Sequence, residues 1–551
     1  MDFPNNEKPL LVNASGDFSD VKIIQYKNRF LYSKYNPYRT ILSLIQNATF
    51  LEGSIIVVCS PCLWYGLEEL MAKLPESCKV IAIQDDSFLL DIARQHFPKR
   101  YRSSVSLYGT DNLSELDSFV RNLVRGGNYR RAVRIDLSAG VQLNSPLYNA
   151  VFSGIQEITA SFWMNRITLV KMGRLFSKNI FQNLMTSGNG VQLSDVCRTV
   201  SKPIIVCGAG ESLDATPEKV FEHSFVIAVD AALISLLRRN IRVDAVVSLE
   251  SQYVIQKAYI GVQDFQDGII LFADITSRPS VVRSIANRTV WFASEYADTA
   301  FLTNLKKEGI IEEFIQPLGS VGLAATLIAL KLRSSQELPV FVTGLDFSYS
   351  MGLTHALGTP AHESRLSCSA RLSPIENYNA AFAPGVFELK DKCGKKMLTG
   401  KSMKGYADNF YSSFRNVPNL YDIGKSGIPL GIPYVSADSL SFMNNSGSAD
   451  ALEEKLSLPA DKARKEKILH FYKDEEISLQ TIKDLLINGD KSLFRNQQIT
   501  LTEQLEELLK EREYLYLHFP DGYRLSTELS FLKRIRAETD FFLKQIKVFI
   551  S

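Results

Sequence analysis

The sequence has almost no surplus charge. Its 62 Lys and Arg balance 60 Asp and Glu, a formal net charge of +2 over 551 residues. A general nucleic-acid binder would show a strong basic excess, so that class is set aside. Long apolar runs are also missing. None approaches the roughly 18–20 residues that span a bilayer, and the best candidate, Phe225–Leu237, contains Asp230 and reads as a strand followed by a helix. No membrane association is expected. The opening segment MDFPNNEKPLLVNASGDF lacks a basic stretch and an apolar core, so no secretory signal is expected and the location is taken as cytoplasmic. Cysteines are few and odd in number, seven in all, which suits reduced thiols in a reducing compartment. Cys59 and Cys62 form a Cys-x-x-Cys pair, but a structural zinc site needs a second pair at suitable spacing and there is none. Packing thiols are favoured there over redox chemistry, and no metal site is assigned. Histidine is scarce too, at six residues.

What remains is ordinary globular composition, 45% hydrophobic and 22% charged, in a chain too long for one core. Three regions separate by pattern, giving an α/β fold class: two Rossmann-like parallel-sheet domains in tandem, then an α-helical C-terminal domain. In residues 1–195, apolar runs of strand length at Ser54–Cys59, Val80–Gln84 and Ala132–Leu137 alternate with helical periodicity at Trp64–Leu74 and Phe88–His96. Strands alternating with helices imply a parallel sheet covered on both faces. Its first strand runs into Ser60–Pro61–Cys62, not a glycine loop, so a scaffold or docking role is favoured over small-molecule binding. Residues 196–435 repeat the alternation, with strands expected at Pro203–Cys207, Phe225–Val229, Ala245–Leu249, Gly268–Phe272, Thr289–Phe292 and Val340–Thr343. A helix Val321–Arg333, capped by Ser320, precedes the last of these. A hairpin of Val386–Lys392 with Lys395–Thr399 and a helix near Ser402–Arg415 follow. A Ser/Asn/Gly/Ala-rich break at Met443–Ala451 marks the next boundary. Residues 450–551 read as helical, including Thr502–His518 and Leu525–Phe549, and suit partner docking or homo-oligomerisation better than catalysis.

The candidate chemistry gathers in the central region. Ile204–Val206 enters Gly208–Ala209–Gly210–Glu211–Ser212–Leu213, a strand running into a glycine turn where backbone N–H groups and a helix start can meet a phosphate. Ser212 adds a hydroxyl. Leu213 occupies the place of the third glycine of the dinucleotide fingerprint, and the Gly-Lys-Ser/Thr ending of the P-loop is absent. A purely structural turn stays open. Asp230, Glu250 and Asp346 stand at later strand ends, where parallel sheets bind ligands, and Gly319–Ser320 opens a further helix. Asp244 suits a turn before its strand. His355 and His362 follow Asp346 in a loop-rich stretch, where an imidazole can act as general base. Arg365 and Arg371 can clamp phosphate or lie in solvent.

In order and spacing, Gly208–Ala209–Gly210–x–Ser–Leu, Ile227–Ala231, Val243–Glu250, Gly319–Ser320–Val321, Gly344–Leu345–Asp346 and Asp422–Ile432 resemble the motility-associated factor (Maf) flagellin glycosyltransferases, as does Leu31–Pro37. The resemblance spans about residues 25–435. In that family the glycine loop usually carries proline where Glu211 stands, and aspartate is usual at Glu250. The resemblance implies transfer of a nonulosonic acid, of pseudaminic or legionaminic type, from a CMP-activated donor to Ser or Thr of flagellin. CMP-sugar is then a donor substrate, and no cofactor is required. The Gly208, Ala209 and Gly210 amides, Ser212, Asp230, Glu250, Gly319 and Ser320 would hold the nucleotide. His355, with Asp346 nearby, would take the acceptor's proton, and His362 would be its substitute. Two rivals stand beside it: a 6-hydroxymethylpterin diphosphokinase-like transfer from ATP, with Asp230, Glu250 and Asp346 on Mg²⁺, and a non-catalytic flagellar chaperone or scaffold.

Overall fold

The computed structural model describes residues 8–550 except 266, 286–287, 373–377, 441–447, 460 and 494–502. Its residues group into two compact units, Met1–Lys171 with Leu517–Leu525, and Met172–Tyr516 with Ser526–Ser551. The division therefore falls at 171, not at 195, and most C-terminal helices belong to the second unit. Most of the break expected at Met443–Ala451 lies outside the described residues.

In the first unit a four-stranded parallel sheet runs in the order Val105–Gly109, Lys79–Gln84, Ser54–Cys59, Arg131–Asp136. All six residues of Ser54–Cys59 are buried, as befits a central strand covered on both faces. Beyond its carboxyl end, where a nucleotide-binding unit would keep a glycine loop, the chain packs its own side chains. Ser60, Cys62 and Trp64 take positive φ of 51°, 43° and 62°, a backbone that strains residues with a Cβ. Tyr32, buried, accepts the Leu63 N–H at 2.9 Å and donates to Pro61 O at 3.1 Å. Trp64 Nε1 donates to Ala93 O at 2.7 Å. Burial pushes the Cys59 and Cys62 thiols up to about 12 and about 11, which leaves them protonated and poorly nucleophilic.

The second unit holds a nine-stranded sheet whose pairs are all parallel. From Ile204–Cys207 it grows outward through Phe225–Val229, Ala245–Ser248, Ile270–Asp274, Thr289–Ser294 and Phe314–Ile315. On the other side it grows through Val340–Thr343 and Leu420–Asp422, and the ninth strand, Val191–Gln192, pairs with Thr289–Ser294 off this path. The strand order reverses between Ile204–Cys207 and Val340–Thr343. Such a switch point opens a crevice outside the carboxyl ends of the strands, where open α/β sheets bind ligands. The two- and three-residue strands at the edges, and Val105–Gly109 in the first unit, are too short or too mixed to show in the sequence.

The helix Ser145–Ser187 has no counterpart in the sequence reading, because different neighbours cover different faces along its length and no single apolar stripe results. Buried Asn179 and Asn183 on it donate to the Ser251, Thr276, Ile275 and Ser277 carbonyls at strand ends. Phe181 packs with Phe301, Tyr514 and Phe542. The expected helix to His518 stops at Lys510, and Thr502 lies outside the described residues. Past Lys510, buried Arg512 pairs with Glu475 at 3.1 Å, and the Tyr514 hydroxyl donates to the same carboxylate. Glu513 caps the helix Ala300–Lys307 by accepting the Ala300 N–H at 2.8 Å. These three bonds need side chains pointing in different directions, so the helix gives way. The tail helix Leu529–Ile550 buries Phe531, Ile535, Phe542 and Ile546. No helix among the described residues is long and apolar enough to cross a membrane.

Candidate active site

At the switch point lies a cavity of about 250 Å³, lined by Gly208, Ala209 and Gly210, by Asp230, by Ser320, and by Asp346 and His355. Seven of the residues singled out in the sequence thus meet in one crevice. Their roles in it differ from those expected.

The glycines lock two loops together. Gly208 N–H donates to Thr343 O and Gly210 N–H to Gly344 O, both at 2.8 Å, so neither amide is turned to a ligand. A Cβ on Gly208 would overlap the Gly344 carbonyl oxygen, and one on Gly344, at φ +67°, would overlap that of Gly208. A Cβ on Gly210 would lie 2.5 Å from Asp346 Oδ2. The absence of side chains therefore permits backbone-to-backbone approach here, and Ala209 is the loop amide outside these bonds. The turn continues into the short 3₁₀ segment Glu211–Ala215, so the positive end of a helix dipole comes from elsewhere. The helices Asp230–Arg238 and Val321–Leu332 supply it, since Asp230, Val321 and Gly322 all line the cavity. Ser320 occupies the N-cap position, but its hydroxyl caps nothing, so the expected capping bond is not made. Gly319, at φ +79°, lies behind it against the Tyr406 ring and outside the cavity lining.

Ser212 and Asp346 form the buried clamp behind the glycines. Asp346 Oδ2 accepts the Ser212 N–H at 2.8 Å and Oδ1 accepts the Ser212 hydroxyl, which in turn accepts the Gly344 N–H at 2.9 Å. Ser212 therefore has no hydroxyl to offer a phosphate, and the Asp346 carboxylate faces Ser212, not His355. Burial pushes the Asp346 carboxyl up to about 7. Glu211 does not face the cavity either. It accepts the backbone N–H of Ser350 at 3.2 Å and the Ser350 hydroxyl, and pairs with Lys395 at 3.5 Å. Its negative charge is met by the hairpin Val386–Lys390 and Lys396–Gly400, whose turn carries Lys395. We expect Glu211→Gln to leave nucleotide affinity within twofold. Stability should fall by under about 1 kcal/mol, because Lys395 is exposed and such pairs contribute little. Calorimetry and thermal melting check both.

Asp230 is 4% exposed. Its Oδ1 accepts the Ala231 N–H at 2.8 Å, and its Oδ2 has no partner among the described residues. Burial, with the charge of Glu250 adding to it, raises its carboxyl to about 7. Glu250 itself lies outside the cavity lining and accepts the Gln252 N–H at 2.9 Å. Asp244, anticipated to order a turn, instead accepts the Val226 N–H of the neighbouring strand at 2.8 Å.

His355 is half-buried on the cavity wall, its Nδ1 3.1 Å from Thr354 Oγ1, which also accepts from Arg365 at 2.7 Å. Burial first, then the charges of Arg365 and His362, lower its pKa to about 4, so the ring is neutral near pH 7. In the tautomer protonated at Nδ1 it donates to Thr354, and Nε2 is left as an acceptor. Arg365 thus orients the histidine through Thr354. His362 lies outside the cavity lining, and its Nδ1 accepts the Gly358 N–H at 3.3 Å, which fastens a turn. The sequence reading missed Phe347, Thr354, Met403 and Tyr406 on the lining. The last two come from the helix Lys401–Phe414, and no local signal marks which of its residues reach the crevice.

Comparison with known proteins bears on the fold that carries this cavity. Residues 176–352 match the family model described as 6-hydroxymethylpterin diphosphokinase MptE-like. Over 97% of its length the chain is 29% identical to an uncharacterised protein of Treponema pallidum (strain Nichols), covering 94% of it. Among solved structures, the Maf glycosyltransferase of Magnetospirillum magneticum AMB-1 superposes over 99% of this chain and 92% of its own, with a TM-score of 0.55 and 14% identity. The chain has the Maf fold. That likeness takes in both sheet-bearing units and the helical C-terminal region, whereas the MptE-like match covers part of the second unit alone.

Proposed function

We propose that this protein is a glycosyltransferase of the Maf type, moving a nonulosonic acid from its CMP-activated form to Ser or Thr of flagellin. The observation that carries the reading is the gathering of Asp230, Ser320 and His355 in one cavity at the switch point, within a chain that shares the Maf fold along nearly its whole length. In the reaction the bond between the sugar's anomeric carbon and the phosphate oxygen breaks, and the electron pair leaves on CMP. The N-terminus of Val321–Leu332 and the uncapped Ser320 hydroxyl, both on the lining, would stabilise that charge. The acceptor hydroxyl attacks the anomeric carbon and gives its proton to His355 Nε2, a contribution worth about 10²–10⁴ in rate. Asp346 and Ser212 act by holding the two loops in register.

The MptE-like match favours a second reading, pyrophosphate transfer from ATP. It asks Asp230, Glu250 and Asp346 to converge on Mg²⁺. Here Asp346 is taken by Ser212, and Glu250 stands outside the cavity. Thermal-shift measurements separate the two: CMP and CTP should raise the melting temperature, and stabilisation by ATP with Mg²⁺ alone would favour the kinase. For the acceptor, intact-mass spectra of flagellin should be lighter by sugar-sized steps in a deletion strain. Coincident spectra would remove flagellin as the acceptor.

A further inference from the structure

Asp230 raises a problem for any anionic ligand. It lines the cavity, buried at the mouth of the helix Asp230–Arg238, and one of its carboxyl oxygens has no partner among the described residues. The described lining includes no Lys or Arg, so an ionised Asp230 would meet the donor's phosphate with no cation between them. The groups packed about it do not relieve this. Glu250, beyond the end of the next strand, adds negative charge, and the buried Tyr259 hydroxyl lies beside the Ser248 hydroxyl and supplies no cation. The lining also holds His355, neutral near pH 7, the Tyr406 ring, and Asp346 with both oxygens turned to Ser212.

We propose that Asp230 enters the donor complex as the neutral acid, its free carboxyl oxygen donating a hydrogen bond to the nucleotide, so that an anionic donor is bound together with one proton. This rests on the nucleotide-sugar reading above. It makes Asp230 a specificity residue that recognises an acceptor atom on the ligand, which narrows the nucleotide-holding role implied by the resemblance. The carboxyl's elevation to about 7 by burial keeps the cost of that proton small near neutrality, and the cost grows above it.

The test uses the full chain and cytidine 5′-(methyl phosphate), a phosphodiester that mimics the donor linkage and lacks the second phosphate ionisation near pH 6 that CMP itself would add. Calorimetric affinity should fall about tenfold per pH unit between pH 7.5 and 8.5. The Asp230→Asn variant, which keeps a donor in place of the acid, should lose that slope and bind more tightly than wild type at pH 8.5. A wild-type affinity independent of pH from 6 to 9, or a slope that persists in Asp230→Asn, overturns the proposal. Should the variant fail to melt cooperatively, wild-type titrations at pH 8 in two buffers of different ionisation enthalpy decide it. One proton taken up per ligand supports the proposal, and none overturns it. Absence of binding at every pH instead overturns the cytidine-nucleotide reading itself, and this inference with it.

Discussion

Replacing His355 by alanine is expected to cut the rate of sugar transfer about 10²–10⁴-fold while leaving CMP affinity within twofold. The split between the two effects follows from position. His355 is on the cavity wall beside Thr354, on a different segment from the Ser320 helix start that would meet the phosphate. Its pKa of about 4 keeps the ring neutral across the range in which the enzyme would work. With the donor saturating, the histidine therefore adds no inflection to the rate between pH 6 and 8. Timed mass spectra of the acceptor give the rate, and calorimetry gives the affinity. Parallel loss of transfer and of CMP binding would assign His355 to donor binding instead. A companion change, Thr354→Val, removes the oxygen shared by Arg365 and the imidazole. It should lower kcat and spare KM, since it leaves the ring in place and frees its orientation.

Much of the site was legible because strand ends in a parallel sheet are legible. Once Pro203–Cys207, Phe225–Val229 and Val340–Thr343 read as buried strands, the residues just past them, Gly208, Asp230 and Asp346, were bound to meet at one edge of the sheet. What each does there was not legible, because it depends on partners distant in sequence. Ser212 is 134 residues from Asp346, and Glu211 is 139 from Ser350. Nothing in a glycine–x–glycine turn tells an amide aimed at a phosphate from one aimed at a neighbouring carbonyl. Of the two histidines in this loop-rich stretch, only the fold shows that His355 faces the crevice and His362 fastens a turn. Glu211, out of place beside a phosphate, becomes ordinary once Lys395 and Ser350 are seen to be its neighbours. The helix Ser145–Ser187 was hidden for a related reason: its buried asparagines satisfy strand-end carbonyls, and polar residues on a buried face erase the apolar period.

The same interlock predicts a strongly damaging single methyl group in the second unit. Gly344→Ala places a Cβ against the carbonyl of Gly208 at a backbone φ of +67°, so it incurs both left-handed strain and overpacking against main chain. Left-handed strain costs roughly 1–3 kcal/mol and overpacking about as much again, and together they should destabilise the unit by about 3 kcal/mol or more. Neither loop can retreat easily. Gly208 and Gly210 are tied by their amides to Thr343 and Gly344, and Asp346 holds Ser212 on the far side. Gly210→Ala should do less to the backbone, since its φ is ordinary and its clash is with the Asp346 carboxylate. That carboxylate would have to release Ser212, so the clamp opens and the crevice loses its shape. Thermal melting should then rank wild type above Gly210→Ala above Gly344→Ala. If Gly344→Ala melts with wild type, the loops have room to separate and the glycines are there for a ligand after all.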